Sequence, residues 1–222
     1  MIVAIDGPSG VGKSTVGKKL AERLALAYLD TGAMYRAVGL ATKRQGISLP
    51  IGDPGRVVAI AERVTVSVTG SAANARTFLD GEDVSTEIRT PEISLYASAV
   101  SAVLGVRRRL AGMQRELAHA FGGVLEGRDI GTKVVPETPY KIFLTARPEV
   151  RARRRFLELT AKGTPQPFEK VLADMEARDR ADSTREDSPL TRAESYAVVD
   201  TSDLTVEQVV EAVLELLRRP SG

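Results

Sequence analysis

Apolar residues along this chain follow two alternating rhythms. Ile2 to Ile5 is an apolar run that stops at Asp6-Gly7-Pro8, the pattern of a short buried strand closed by a turn. From Lys13 the spacing changes to every fourth residue, with Val16, Leu20 and Leu24 on one helical face. Ala27-Tyr28-Leu29 is a second short strand, followed by Asp30-Thr31-Gly32 and a helical stretch from Ala33 to about Lys43. A strand, a Gly-rich turn, a helix and another strand make a βαβ opening.

The middle of the chain breaks that rhythm. Val64, Val66 and Val68 alternate with Thr65, Ser67 and Thr69, which predicts a strand with one wet face. A loop at 70–74 leads to a partner strand, Arg76 to Leu79, ending at Asp80-Gly81. An antiparallel hairpin does not belong to a βαβ series, so it reads as an insertion at about 63–90. The α/β pattern then resumes. Val106, Leu110, Met113 and Leu117 trace a helix face, and Val124-Leu125, Ile142-Phe143-Leu144 and Ala197-Val198-Val199 are further strands. Thr205-Val206-Glu207-Gln208 has the form of a capping box opening a last helix through Val209, Val213 and Leu217. Five short apolar strands separated by helices predict a parallel sheet covered on both faces, a three-layer α/β/α architecture. Between 150 and 192 the chain is rich in Arg and Asp, helical in places, and too charged to be core.

Composition narrows the chemistry. Lys+Arg 31 against Asp+Glu 29 leaves a net +2 on 222 residues, without the basic excess of a nucleic-acid coat protein. The absence of cysteine removes disulfides, Cys-based zinc sites and thiol nucleophiles. One histidine, His119, has no recognisable partner and reads as a structural or surface residue. No Trp and 5% aromatics argue against a base-stacking platform. The N-terminus lacks a basic segment followed by an apolar one, and no stretch approaches the roughly 18 apolar residues of a membrane span. The expectation is a soluble, cytoplasmic protein that binds neither membrane nor nucleic acid.

Gly7-Pro8-Ser9-Gly10-Val11-Gly12-Lys13-Ser14 matches G-x-x-x-x-G-K-[ST] in full. Its glycines let backbone N–H groups turn inward as an anion nest, and the following helix adds its positive end. Lys13 supplies a charge for the outer phosphates and the Ser14 hydroxyl suits Mg²⁺. A Gly-rich turn without ligand has no use for Lys-Ser at this offset. The loop implies a nucleoside triphosphate but not its use. No Asn-Lys-x-Asp is present to read guanine, and the nearest acidic strand end, Ala197-Val198-Val199-Asp200, is followed by Thr201 rather than Glu. Small size and the charged segment after residue 150 favour a small-molecule kinase with a closing lid.

Three further motifs are more specific: Tyr28-Leu29-Asp30-Thr31-Gly32-Ala33-Met34-Tyr35-Arg36, Glu126-Gly127-Arg128-Asp129-Ile130-Gly131-Thr132, and Arg178-Asp179-Arg180-Ala181-Asp182-Ser183-Thr184-Arg185. With the phosphate loop, and with Leu79-Asp80-Gly81-Glu82-Asp83-Val84 in the insertion, the chain closely resembles the bacterial cytidylate kinases from Ile2 to about Leu217. The resemblance implies a P-loop core at 1–30, 104–150 and 193–222, an acceptor-nucleotide region at 31–103, and a helical lid at 151–192. It implies transfer of the γ-phosphoryl group of ATP to CMP or dCMP with Mg²⁺, by a monomer. Gly7, Pro8, Ser9, Gly10, Val11, Gly12, Lys13, Ser14 and Thr15 would then hold ATP, with Ser14 toward the metal.

The same resemblance places Thr31, Tyr35, Arg36, Ser98, Arg107, Arg128, Asp129, Arg178, Asp182 and Arg185 around CMP. Lys13, Arg128, Arg178 and Arg185 would act on the transferring group. Arg36 and Arg128 suit the acceptor phosphate because a guanidinium fork matches two phosphate oxygens. Ser98, Arg107 and Asp129 would read the cytosine edge, where a carboxylate accepts from the exocyclic amine and repels the carbonyl of uracil. Each residue has a plainer use. Asp129 could pair with neighbouring Arg128, Thr31 could cap the next helix, and Tyr35 could be core. Arg178, Asp182 and Arg185, at offsets of four and three, share a helix face and could form solvated ion pairs. One of Arg151, Arg153, Arg154 and Arg155 could meet ATP. A kinase for UMP, AMP or shikimate, or a nucleotide-dependent switch, are the rival readings.

Overall fold

The structure is a computed structural model and describes residues 1–69 and 74–218. All but Asn74 of the hairpin loop, and the last four residues of the expected core segment 193–222, lie outside the described residues.

Five strands form one parallel sheet: β1 (Ile2–Asp6), β2 (Tyr28–Asp30), β6 (Gly123–Gly127), β7 (Lys141–Thr145) and β8 (Ala197–Asp200), in the order β2-β6-β1-β7-β8. These are the five strands expected. Alternation along β1 explains the layers. Val3 and Ile5 pack against Val16 and Leu20 of α1 (Lys13–Leu24) and Val209 and Val213 of α8 (Val206–Arg218). Ala4, pointing the other way, meets Leu125 and Ala118, the latter on α5 (Leu104–Phe121). Helices therefore cover both faces. The last helix opens as its pattern predicts: Thr205 N–H donates to Gln208 Oε1 at 2.8 Å and Gln208 N–H to Thr205 Oγ1 at 3.2 Å.

The insertion is larger than a hairpin. β3 (Val66–Thr69) pairs antiparallel with β4 (Arg76–Leu79), and β4 pairs with a third strand, β5 (Glu82–Asp83). Its apolar face joins α2 (Thr31–Arg44), α3 (Pro54–Arg63) and α4 (Pro91–Ser101) through Val66, Leu79, Met34, Leu40, Ile60 and Ile93. α2 starts at Thr31, two residues earlier than its apolar pattern suggests, because the Asp30 carboxylate caps it by accepting the Ala33 N–H at 3.0 Å. Thr31 is thus the first helical residue and not the cap.

The charged segment is two helices, α6 (Pro148–Ala161) and α7 (Phe168–Ser183). It does have a small core: Ala152 and Leu159 of α6 close on Val171 and Met175 of α7, and the rings of Phe156 and Phe168 meet edge to face, 6.2 Å apart. α7 ends at Ser183, so Arg185 stands beyond the helix that Arg178 and Asp182 share. The chain turns back there, with Leu190 N–H donating to Asp182 O at 2.8 Å and Arg185 Nη2 to Ser188 O at 3.1 Å. Among the described residues no helix is long and apolar enough to cross a membrane.

Candidate active site

The site forms where β1, β2 and β6 end together, with Asp6 beside Gly127 and Asp30 beside Glu126 in the strand register. In an open parallel sheet this edge is where ligands bind. Between β1 and α1 the loop from Gly7 to Gly12 wraps tightly. Gly7 has φ +149°, and a Cβ there would stand 2.2 Å from the Leu144 carbonyl oxygen. Gly12 has φ +94° and gives α1 no side-chain cap, which leaves the first-turn N–H groups to a ligand. Lys13 is buried, and its Nζ donates to the carbonyls of Gly7 at 2.8 Å and Pro8 at 2.7 Å. Burial, and then the Arg128 charge, pull its pKa well below the ordinary lysine value, against the attraction of Glu126. Ser14 and Thr15 follow on the exposed side of the first turn.

Three carboxylates line the strand ends, and none was singled out from the pattern of residues. Asp30 caps α2 and pairs with Arg89 at 2.8 Å. Glu126 is buried, accepts the Tyr28 hydroxyl, and has the Ser14 hydroxyl within reach. Burial first, then neighbouring Asp30, push its pKa up. Asp6 accepts from Ile130 N–H at 3.0 Å, Gly131 N–H at 2.9 Å and Tyr196 Oη at 2.6 Å, and its pKa is raised by burial. The available signal was the same in each case: a carboxylate closing an apolar strand just before a Gly or a helix.

Four arginines gather beside the loop, and Arg128 reaches it. Arg128 Nη2 donates to Ser9 Oγ at 2.9 Å and its Nε to Asp182 at 2.9 Å. Arg185 pairs with the same carboxylate at 3.0 Å. Asp182 is 5% exposed, so these are not solvated pairs, and Arg128 leads the charges that hold its pKa down against burial. Arg36 reaches Ser94 Oγ at 2.6 Å. Burial lowers the pKa of Arg178 to about 10, with Arg128 and Arg36 adding repulsion that Asp182 only partly offsets. The Nε atoms of Arg178 and Arg185 are buried without a hydrogen-bond partner. Crowded guanidinium groups with unused N–H bonds describe a socket for a multiply charged anion.

Beside this socket Arg107 Nη1 donates to Asp129 Oδ2 at 2.9 Å, with both side chains under 10% exposed. The guanidinium also lies 5.4 Å from the Tyr35 ring centroid. Burial opposes the Arg107 charge, but Tyr35 and Asp129 outweigh it and raise its pKa. Asp129 therefore pairs with Arg107 and not with Arg128, which turns toward Asp182. Ser98 is not joined to this group by a hydrogen bond; Arg107 Nε bonds the Ser101 carbonyl at 3.1 Å, and the Ser98 carbonyl accepts from Ser101 Oγ. Thr31 Oγ1 donates to the Glu126 carbonyl at 2.7 Å, tying α2 to β6.

Among the arginines of α6, Arg151 is the one built into the loop, donating to Ser9 O at 3.1 Å and pairing with Asp179. Arg154 bonds Thr201, whose hydroxyl donates to Val11 O at 3.0 Å. Arg155 pairs with Glu158, and Arg153 is exposed. His119 is half exposed beside Glu137, as a surface residue should be.

An anion nest with a buried lysine, met by guanidinium groups from α2, from the end of β6 and from the helical pair and the turn after it, defines a P-loop phosphotransferase. Two solved structures share the architecture: an uncharacterized protein from Eubacterium ventriosum, with TM-score 0.55 and 13% identity, and the shikimate kinase from Bacteroides thetaiotaomicron, with TM-score 0.50 and 15% identity. Each alignment covers 98% of both chains and bears on fold alone. Sequence goes further, since the family model described as Cytidylate kinase matches residues 3–219. The cytidylate kinase of Caldanaerobacter subterraneus subsp. tengcongensis is 51% identical over 98% of this chain and 94% of its own. That of Mycolicibacterium paratuberculosis is 51% identical over 100% and 96%. This chain belongs to the cytidylate kinase family and is a kinase.

Proposed function

We propose that the chain transfers the γ-phosphoryl group of ATP to the phosphate of CMP or dCMP, giving CDP or dCDP and ADP. The observation that carries this reading is the arginine socket: Arg36, Arg128, Arg178 and Arg185 gather charge and unused N–H bonds beside the loop that takes the donor phosphates. A phosphate dianion supplies what that socket lacks.

The acceptor is already an anion near neutral pH, so the reaction needs no protein nucleophile. A CMP phosphate oxygen attacks the γ-phosphorus in line as the bond to the ADP oxygen breaks. The protein contributes placement and neutralisation of charge. Lys13 leaves its two loop carbonyls for the donor phosphates, and Arg128, Arg178 and Arg185 hold the transferring and acceptor groups. α6 and α7 act as the lid, excluding water that would otherwise accept the phosphoryl group. The base rests near Tyr35, where Asp129 accepts from the cytosine amine. Arg107 fixes that carboxylate, and Ser98 lines the same pocket.

The donor set fits Mg²⁺. The Ser14 hydroxyl and the Glu126 carboxylate it reaches offer hard oxygens, and among the described residues no three acidic or histidine side chains could hold a metal without help. Ser14 and Glu126 would hold such an ion beside the donor phosphates, where it would supply charge neutralisation.

The test is ADP release measured with CMP, dCMP, UMP, AMP and shikimate as acceptors. CMP and dCMP should each exceed the rest by at least about tenfold in kcat/KM. Turnover led by any other acceptor, or ATP hydrolysis that no acceptor stimulates, refutes the reading.

A further inference from the structure

Ser9 is the one residue of the phosphate loop whose main chain and side chain are both held by partners from elsewhere in the fold. Its N–H donates to Asp179 Oδ1 at 3.4 Å and its carbonyl accepts from Arg151 Nη1 at 3.1 Å. Asp179 and Arg151 pair with each other, which closes a ring between α6, α7 and the loop. Ser9 Oγ accepts from Arg128 Nη2 at 2.9 Å, and Arg128 Nε reaches Asp182 at 2.9 Å. Asp179 and Asp182 are three residues apart on α7, so one helix face carries both contacts. A second ring therefore runs from Ser9 through Arg128 to Asp182 and back along α7.

From these two rings we infer that Ser9 is a positioning residue that couples the donor and acceptor sites, transmitting occupation of the phosphate loop to the acceptor-side arginine. The inference rests on the proposed acceptor site around Arg128. Triphosphate seated in the loop sets the orientation of the Ser9 peptide. That orientation decides whether Asp179 and Arg151 can close on it, and Oγ carries the same setting to Arg128. Without the hydroxyl, Arg128 keeps Asp182 and the Gly127 carbonyl at 3.2 Å, so the side chain stays in the site but loses its link to the loop. Coupling between two sites is reciprocal and measurable as a ratio of affinities.

The experiment is calorimetric titration of CMP into the full chain, alone and saturated with a non-hydrolysable ATP analogue and Mg²⁺. In the parent chain the analogue should tighten CMP at least about fivefold. Ser9→Ala should remove most of that factor while changing the affinity for CMP alone by less than about twofold. Asp179→Asn should lower the factor in the same direction, and the double variant no further than the stronger single one. A parent chain without coupling overturns the inference. So does a Ser9→Ala chain that couples like the parent, an equal loss of CMP affinity with and without the analogue, or fully additive losses in the double variant. A parent chain that binds no CMP refutes the acceptor reading instead, and the same ratio measured with the acceptor it does phosphorylate then decides the role of Ser9.

Discussion

Replacing Asp129 by Asn separates two effects that the buried pair combines. Arg107 and Asp129 meet at 2.9 Å with side chains 4% and 8% exposed. Removing the negative charge leaves a buried guanidinium facing the Ser101 carbonyl, the Tyr35 ring and a neutral amide in place of its carboxylate. Breaking a buried pair costs about 3–5 kcal/mol, and the amide oxygen of Asn can still accept from Arg107, which favours the lower end. For a chain of this length, 3 kcal/mol lowers the melting temperature by about 6–12 °C. Specificity shifts separately. A carboxylate set against a uracil carbonyl brings lone pairs together where little water screens them, whereas an amide can turn either its oxygen or its nitrogen toward the ring. Losing a base-edge discrimination of about 1–3 kcal/mol should narrow the ratio of kcat/KM for CMP over UMP by at least about fivefold. The assay is ADP release with both acceptors on one preparation, so any loss of folded protein cancels from the ratio. A ratio within about twofold of the parent would refute the assignment of Asp129 to the base edge.

Other outcomes follow from the same geometry. Lys13 is buried with its pKa depressed, and bound phosphates raise it again, so ADP binding at pH 8.5 should take up a proton, read from calorimetry in buffers of different ionisation enthalpy. Lys13→Met should bind without that uptake, stay folded, and lose at least about a hundredfold in turnover; full turnover in this variant would contradict the role given to the lysine. Tyr196→Phe removes the 2.6 Å donor to buried Asp6 and should cost about 1–3 kcal/mol in chemical denaturation, with a midpoint equal to the parent as the contrary result. Gly7→Ala meets both φ +149° and a carbonyl oxygen 2.2 Å away, so it should destabilise by more than about 2 kcal/mol and abolish ADP binding.

Much of the architecture was legible because it depends on local rhythm. Each of the five central strands is an apolar run short enough, and bounded clearly enough, to be placed from the sequence. The capping box at Thr205 and Gln208 formed as its spacing required. α3 was missed because its apolar residues run without a break from Val57 to Ala61, which hides the helical spacing of its buried positions Val57, Ile60 and Ala61. The early start of α2 was missed because Asp30 caps it from inside a strand. The small core of α6 and α7 was hidden by the charge around it, since a two-helix seam needs only Ala152, Leu159, Val171 and Met175.

Taken alone, the sequence determined which chemistry this chain carries: a loop whose glycines and Lys13 are adjacent in the chain, and motifs rich in guanidinium groups. Those properties are local, fixed by backbone freedom and residue type. Only the tertiary structure decided who pairs with whom. Adjacency alone offers Asp129 its neighbour Arg128; instead it lies under Arg107, 22 positions away in the chain, while Arg128 reaches across 54 positions to Asp182. Burial made that choice, because a charge removed from water takes the partner that the folded core sets beside it, and sequence distance says nothing about which partner that is.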